Sequence, residues 1–378
     1  MALPPAPVLL LSQGYKGRDR LVPVGRSRVA VGGEPPGLLL NWGQVHNDGV
    51  VADASNAAPL RPVLASPGAV GYSRATIGGH KAAASWIQRR APHTTAEWDL
   101  TVDEAIAAQQ SLGTPGMVLP SRQLGPADWP DGVQDALDAA RRACVRHGGG
   151  DMLVGLILDE PWITDVRLRR TLLNQFTDLP PQLGAAIHVH WSSSDTPNQP
   201  RNLSALRTVV RALAEDDRRV LLVEAGGLGW LAIAWGAWGF SAGLSQASWR
   251  RSTEVVRRAK GQPATRVPRF FEIDLLHHVR QTTHQRLVRE PGYTACRCSF
   301  CAQLNPATTN AWDHTLAEQH GLDTLAAVTE HVVAPRLVDR HARVRGIVDA
   351  ALQFENAVSF RLTGDSRPLH LPVWRAEL

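Results

Sequence analysis

Short apolar runs that alternate with amphipathic helical stretches constrain the fold of this chain more than any other feature of its sequence. The apolar runs have the length of buried strands and are bounded by turn residues; they cover residues 38–40, 62–64, 117–119, 153–158, 185–189, 220–223 and 239–242. Helical stretches lie between several of them, at residues 102–112, 133–147, 165–176 and 203–214. In the first of these helices Thr101 is the expected N-cap, because Glu104 follows it at the spacing of a capping box. Over roughly 250 residues, the alternation predicts an α/β chain folded as a TIM-type (β/α)8 barrel rather than an open sheet.

The length and the apolar content of the chain bound the class of protein. It has 378 residues, of which 44% are hydrophobic, and this suits one large domain with an appendage or two ordinary domains. No run approaches the roughly 20 apolar residues of a membrane-spanning helix, and the first residues lack the basic-then-apolar pattern of a signal peptide. We therefore expect a cytoplasmic protein that does not engage a membrane.

The positive charge of the chain comes almost wholly from arginine. The formal net charge is +5, with only three lysines, a balance that suits a polyanionic partner but also arises from a GC-rich genome. Arg250, Arg251, Arg257 and Arg258 stand at near-helical spacing close to Trp249. Contact with the phosphates of a nucleic acid is the functional interpretation of this cluster, and a solvated helix face is the alternative.

Three of the four cysteines lie within six residues of each other. Cys296, Cys298 and Cys301 form a CxCxxC motif, whose thiolates can take three corners of one tetrahedral zinc site. Three reduced cysteines on a loop are the alternative, although clustered exposed thiols are prone to oxidation. The fourth ligand must come from elsewhere, and spacing does not choose between four histidines downstream: His314, His320, His331 and His341.

At this motif the sequence resembles the tRNA-guanine transglycosylase family, whose members end in a zinc subdomain with CxCxxC and a ligand histidine after an amphipathic helix. The resemblance implies that His331, which follows Thr329 and Glu330, is the fourth ligand of a structural Zn²⁺. Weaker similarity extends backwards through residues 154–157, 103–113 and 61–68, so that it covers about residues 60 to 335. It implies a pentosyltransferase that exchanges guanine or a 7-deazaguanine base in nucleic acid.

The residues that the family uses for catalysis are not found where the resemblance places them. The first aspartate falls on Ala65, the base-reading aspartate near residues 120–121, and the base-reading glutamine on Leu158. The strand of the nucleophile aligns best with residues 238–243, which contain no acid. Alanine and leucine cannot attack a sugar carbon or transfer a proton. Either the usual aspartates are lost or other carboxylates, such as Asp53 after a shift of register, replace them.

Asp159, Glu160 and Glu224 are the candidates for relocated catalytic carboxylates. All three follow predicted strands, and the C-terminal ends of barrel strands are where such folds carry out chemistry. For Asp159 and Glu160 the alternative role is to cap the helix that follows. His188 and His190 lie on one face of a strand, as a metal pair or a base-contacting pair would, although such histidines are more often hydrogen-bonded core or rim residues.

Together these features predict a divergent transglycosylase-like zinc protein that acts on, or binds, guanine or 7-deazaguanine sites in tRNA or DNA. The expected domains are a (β/α)8-type barrel at residues 1–275, a zinc-binding subdomain inserted near its end at 276–345, and a C-terminal helix and tail at 346–378. The alternative is a non-catalytic, nucleic-acid-binding zinc subunit that partners a true transglycosylase. In either case a homodimer, or a heterodimer with a catalytic chain, is expected.

Overall fold

A parallel barrel of eight strands forms the centre of the protein. The computed structural model describes residues 3–5, 7–13, 18–41, 60–67, 92–148, 151–191, 198–243, 269–304 and 313–378. The barrel strands run along the chain as β1 (Val8–Gln13), β2 (Gly37–Asn41), β3 (Val63–Ser66), β4 (Met117–Leu119), β6 (Met152–Asp159), β7 (Leu183–His190), β8 (Val220–Leu222) and β9 (Gly239–Gly243). A short strand after β4, β5 (Gln123–Leu124), pairs in parallel with the far end of β6.

The strand order shows that the sheet curls into a nearly closed barrel. Hydrogen-bonded neighbours run β3, β2, β1, β9, β8, β7, β6, β4, all in parallel, so that the first and last strands along the chain lie side by side. At the seam β3 and β4 are in contact. The predicted (β/α)8 architecture is confirmed, and each of the seven predicted apolar runs overlaps a barrel strand.

Helices lie between the barrel strands, on the outside of the barrel, and also in the chain after β9. They are α1 (Arg18–Ala30), α2 (Thr95–Ser111), α3 (Asp131–His147), α4 (Pro161–Thr164), α5 (Val166–Thr177), α6 (Pro200–Glu215), α7 (Leu228–Ala234), α8 (Gln281–Leu287), α9 (Cys301–Leu304), α10 (His314–Val332), α11 (Leu337–Ala357) and α12 (Leu371–Ala376). The connection between β2 and β3, residues 42–59, lies outside the described residues. After β9 the chain returns to the barrel with α10, which packs against α1 and completes the helical layer.

The helix α2 begins seven residues before the predicted start. Thr94, not Thr101, is its N-cap: the Thr94 hydroxyl accepts from the amide of Glu97, and the Glu97 carboxylate accepts from the amide of Thr94. The same Thr-x-x-Glu spacing therefore occurs twice, two helical turns apart. The earlier copy is the cap because Trp98, in the first turn, is buried and extends the helix over the core.

Strand alternation divides the barrel interior into an apolar floor and a polar mouth. The floor consists of one apolar side chain from most of the strands, with two further residues that close it from below; its members are Leu3, Leu10, Leu39, Leu64, Val118, Leu153, Ala186, Leu221 and Trp238. The indole of Trp238 donates to the carbonyl of Pro4, 2.8 Å away, which holds the N-terminal residues across this end. The polar residues of the interior lie nearer the C-terminal strand ends.

A C-terminal layer follows the barrel strands. An antiparallel hairpin of β10 (Arg269–Glu272) and β11 (His277–Arg280) packs against α10, and α11 packs against α7. The predicted boundary between residues 345 and 346 falls inside α11, and the predicted boundary at 275 falls inside the connection of the hairpin. Across the described residues, we find no helix that is both long and apolar enough to cross a membrane.

Candidate metal centre and barrel mouth

Three sulfurs and one imidazole nitrogen converge between the hairpin and α10. The Nδ1 atom of His320 lies 3.6 Å from Sγ of Cys296, 3.4 Å from Sγ of Cys298 and 3.1 Å from Sγ of Cys301, and the last two sulfurs are 3.4 Å apart. Around a tetrahedral ion, zinc–ligand bond lengths imply about 3.5 Å between sulfur and nitrogen and about 3.7 Å between sulfurs. These four side chains can therefore hold a metal ion.

The surroundings of His320 orient it as a ligand. Its Nε2–H donates to the carbonyl of Phe271 at 2.8 Å, which leaves the lone pair of Nδ1 directed at the sulfurs. Its ring stacks on Phe270, with 3.9 Å between the ring centroids. Within the cluster, hydrogen bonds from Cys298 and Cys301 lower the pKa of the Cys296 thiol, whereas those with Cys296 and Cys298 raise the pKa of the Cys301 thiol.

The prediction of His331 as the fourth ligand is wrong. His320 and His331 lie on the same helix, α10, and are 11 residues apart, which corresponds to about 16 Å along the helix axis. Because 11 residues make just over three complete turns, both side chains share a face, but His331 lies exposed at the far end of the helix. The pattern Thr-Glu-His that suggested it marks the end of the helix and not the metal centre.

A row of ionisable side chains crosses the barrel mouth. The register pairs Asp159 with His190 and Ile157 with His188. Residues two apart on a strand share a face, so Ile157 and Asp159 point inward like the floor residue Leu153 of β6, and the two histidines point inward like the floor residue Ala186 of β7. Oδ1 of Asp159 is 4.0 Å from Nδ1 of His190, and the rings of His190 and His188 meet edge to face at 4.7 Å. Nε2 of His188 is 3.9 Å from Oε2 of Glu224.

Glu224 occupies an unusual position just after β8. Its backbone φ is +55°, a left-handed conformation that side chains other than glycine seldom adopt and that is common at functional sites. The backbone amide of Glu224 donates a hydrogen bond to the hydroxyl of Ser241, on the neighbouring strand β9, at 2.8 Å. The Ser241 hydroxyl also lies 2.9 Å from the hydroxyl of Ser12. Burial in the mouth raises the pKa of the Glu224 carboxyl to about 7. This carboxyl can therefore exchange a proton near neutral pH.

The neighbouring imidazole has the opposite shift. Burial, with a smaller contribution from His190, lowers the pKa of His188 to about 3, so that it is neutral at physiological pH. About a quarter of each side-chain surface stays accessible, 24% for His188 and 28% for Glu224, so a ligand in the mouth can reach both.

The other predicted carboxylate, Glu160, does not belong to this row. It precedes α4, and its side chain makes no cap hydrogen bond to that helix. The next helix, α5, is capped by Asp165, whose carboxylate accepts hydrogen bonds from the amides of Arg167 and Leu168. Its own amide donates to the carbonyl of His190. Of the three predicted carboxylates, the structure brings Asp159 and Glu224 to the inward-facing row.

Strand alternation also explains why Ala65 and Leu158 cannot take part in chemistry. Both lie in the apolar layer between the strands and the helices, on the opposite face from Leu64 and Leu153. The inward position next to Leu158 is Asp159. At this strand a carboxylate therefore faces the mouth one residue after the position that the resemblance indicates.

Some functional residues were not foreseen, and some predicted ones fall outside the described residues. The side-chain amide of Gln123 donates to Asp159, and the two-residue strand β5 that carries it is too short to give any periodic signal. The predicted phosphate contacts Arg250, Arg251, Arg257 and Arg258, and also Asp53, lie outside the described residues.

Among the described residues, one group of histidine, cysteine and acidic side chains is close enough to hold a metal ion, namely Cys296, Cys298, Cys301 and His320. His188 and His190 are not part of such a group. Comparison with models of known protein families gives no match, and comparison with curated proteins gives none either.

Proposed function

We propose that this chain is a divergent transglycosylase-like zinc protein that binds guanine or 7-deazaguanine sites in tRNA or DNA and exchanges the base there. The observation that carries the proposal is the row of inward-facing groups at the barrel mouth, which includes two carboxylates. In (β/α)8 enzymes this end of the barrel holds the reacting groups. A protein that only bound nucleic acid would have no use for a carboxyl buried there with a pKa of about 7.

The metal in this proposal is a structural Zn²⁺. A donor set of three cysteine sulfurs and one histidine nitrogen is typical of structural zinc, and it leaves no open coordination position for a substrate. The centre joins α10 to the segment after the hairpin, and the hydroxyl of Ser299 next to it contacts that of Ser27 on α1 at 3.0 Å. The metal would thus stabilise the attachment of the C-terminal layer to the barrel.

A non-catalytic subunit that partners a true transglycosylase is the second candidate. Ser241, which lies in the segment where the resemblance places the nucleophile, favours it: the side chain is buried and is hydrogen-bonded to Ser12. A barrel of this kind would hold nucleic acid for a catalytic partner chain. The partner would supply the missing acid, which a second copy of this chain cannot do.

We expect the purified chain to incorporate labelled guanine or a 7-deazaguanine base into tRNA or duplex DNA, and the E224Q variant to lose at least about 100-fold of this rate, because a carboxylate that faces the substrate at the mouth is removed. Glu215, an exposed residue of α6 paired with Arg211, provides the control variant E215Q, which should keep the wild-type rate. If label enters neither polymer with the chain alone, but the chain raises the rate of an added catalytic chain above the rate of that catalytic chain by itself, the non-catalytic candidate is correct.

We also expect the four arginines of the cluster after β9 to bind phosphates. Replacing Arg250, Arg251, Arg257 and Arg258 by alanine should weaken binding of tRNA or duplex DNA and reduce the slope of log K against log salt by about 3 to 4, since each neutralised phosphate contributes about 0.9. Fluorescence anisotropy with labelled nucleic acid, at salt concentrations between about 50 and 200 mM, measures both the affinity and the salt slope. An unchanged slope would assign these residues to a solvated helix face.

A further inference from the structure

The Glu224 carboxyl and the His188 imidazole form a polar edge at the barrel mouth with apolar surroundings. Behind Glu224, in the apolar layer between the strands and the helices, Val189, Trp191 and Leu222 line a small cavity. Within the described residues, His188 is the ionisable group within 4.0 Å of the Glu224 carboxyl. From β9 the facing group is the uncharged hydroxyl of Ser241, and further along the row lie His190 and Asp159.

We propose that Glu224, beside the neutral imidazole of His188, binds the N–H donor edge of a guanine-type base, and that this binding releases one proton from Glu224. The inference rests on the proposed function for the class of ligand, and it adds the residue that reads the base and the pH dependence of the site. Neither residue stands where the resemblance places a base-reading group.

The geometry of the pair matches the edge of such a base. An ionised carboxylate accepts two hydrogen bonds side by side, and guanine presents two adjacent donors, its N1–H and its 2-amino group. The acceptor next to them, the 6-oxo group, requires a donor, which a neutral imidazole supplies from one ring nitrogen. His188 is neutral at physiological pH and its Nε2 is 3.9 Å from the carboxylate, so one ligand edge can contact both side chains.

Glu224 is held for this role by its backbone. The left-handed φ and the hydrogen bond from its amide to Ser241 fix the residue at the strand end, and Ser241 is fixed in turn by Ser12. A binding group held in advance loses little conformational freedom when the ligand arrives.

The direction of the pH effect follows from the state that binds. The free carboxyl has a pKa of about 7, and only its ionised form accepts both N–H groups. Above pH 7 the site is already ionised, so affinity is nearly constant. Below pH 7 a proton must leave Glu224 before the base binds, and affinity falls by about tenfold for each pH unit. His188 stays neutral throughout this range.

Isothermal titration calorimetry of the full-length, metal-loaded chain with guanosine tests the inference. We expect binding at pH 8, about tenfold weaker binding at pH 6, and release of about one proton at pH 6 when buffers of different ionisation enthalpy are compared. Adenosine and inosine lack the paired donors and should bind at least about tenfold more weakly at pH 8. The E224Q variant should bind guanosine weakly and without pH dependence, while E215Q should match the wild type.

The outcomes separate this inference from the proposed function. Guanosine affinity that is equal at pH 6 and pH 8, or that survives in E224Q with metal content and thermal unfolding unchanged, would overturn the role of Glu224 even if base exchange occurs. Absence of guanosine binding at pH 8 would overturn it as well. Proton-linked guanosine binding without exchange into any polymer would support the inference while the proposed enzymatic function fails.

Discussion

Replacement of His320 by alanine is expected to remove the metal ion from the protein and to lower its free energy of unfolding by at least about 3 kcal/mol. The substitution takes away one of four ligands, and it also removes a buried ring that stacks on Phe270 and donates to the carbonyl of Phe271. Because three cysteine sulfurs meet at this point, the loss of the metal leaves them without the charge that holds them together. Metal content by mass spectrometry and unfolding in urea measure the two effects.

The matched control is H331A, on the same helix and the same face. His331 is exposed, so its replacement should leave the metal content unchanged and alter the free energy of unfolding by no more than about 0.5 kcal/mol. C298S, which removes a different ligand without touching the stack on Phe270, should reproduce the metal loss of H320A. If H331A loses the metal and H320A keeps it, the assignment of the fourth ligand made from the structure is wrong.

The second large effect is expected at Arg218, a buried guanidinium that satisfies the backbone on the outside of the barrel. It donates to the carbonyls of Thr177, Leu179, Pro180 and Leu183 at 2.9 to 3.3 Å and pairs with Asp216. Alanine at this position would remove the guanidinium donor from all four carbonyls, of which that of Pro180 keeps a hydrogen bond from the amide of Leu183. We expect R218A to lower the free energy of unfolding by about 3–5 kcal/mol, as when one partner of a buried charged network is removed.

Two further variants test this explanation. R218K keeps the charge but lacks the planar fork that reaches several carbonyls at once, so it should recover only part of the loss. R211A removes an arginine that is 54% exposed and paired with Glu215 on the same helix, and its effect should stay within about 0.5 kcal/mol. Urea unfolding gives all three values, and an R218A protein as stable as R211A would show that water replaces the guanidinium without cost.

Much of the barrel was predictable because a strand that is buried on both faces consists of consecutive apolar residues, which are visible in the sequence. The runs at residues 153–158 and 185–189 lie within β6 and β7. The strand β1 was not predicted, although its residues are just as apolar, because it precedes the first helix and has no helix before it to mark the alternation. The CxCxxC motif was predictable for a different reason, since three ligands close in sequence need no knowledge of the fold.

The choice of partners across the fold was not predictable in the same way. Four histidines compete for one metal position, and which of them meets the cysteines depends on how far α10 extends before it passes the hairpin. At the mouth, Asp159 and Glu224 could be selected as strand-end carboxylates. Their neighbours His190 and His188 depend on the register between β6, β7 and β8, which a single sequence does not contain.

The helix that carries His320 is also the helix that closes the circular layer around the barrel. It lies against α1, with ion pairs from Arg20 to Glu318 and from Arg28 to Glu330 along the contact, and the side-chain amide of Gln319 donates to the carbonyl of Arg20 at 3.0 Å. The chain between β9 and α10 is therefore an insertion whose length can change without altering the circular order. A truncation before residue 314 would instead remove the helix that covers the barrel after its last strand, and would expose the face of α1 that packs against it.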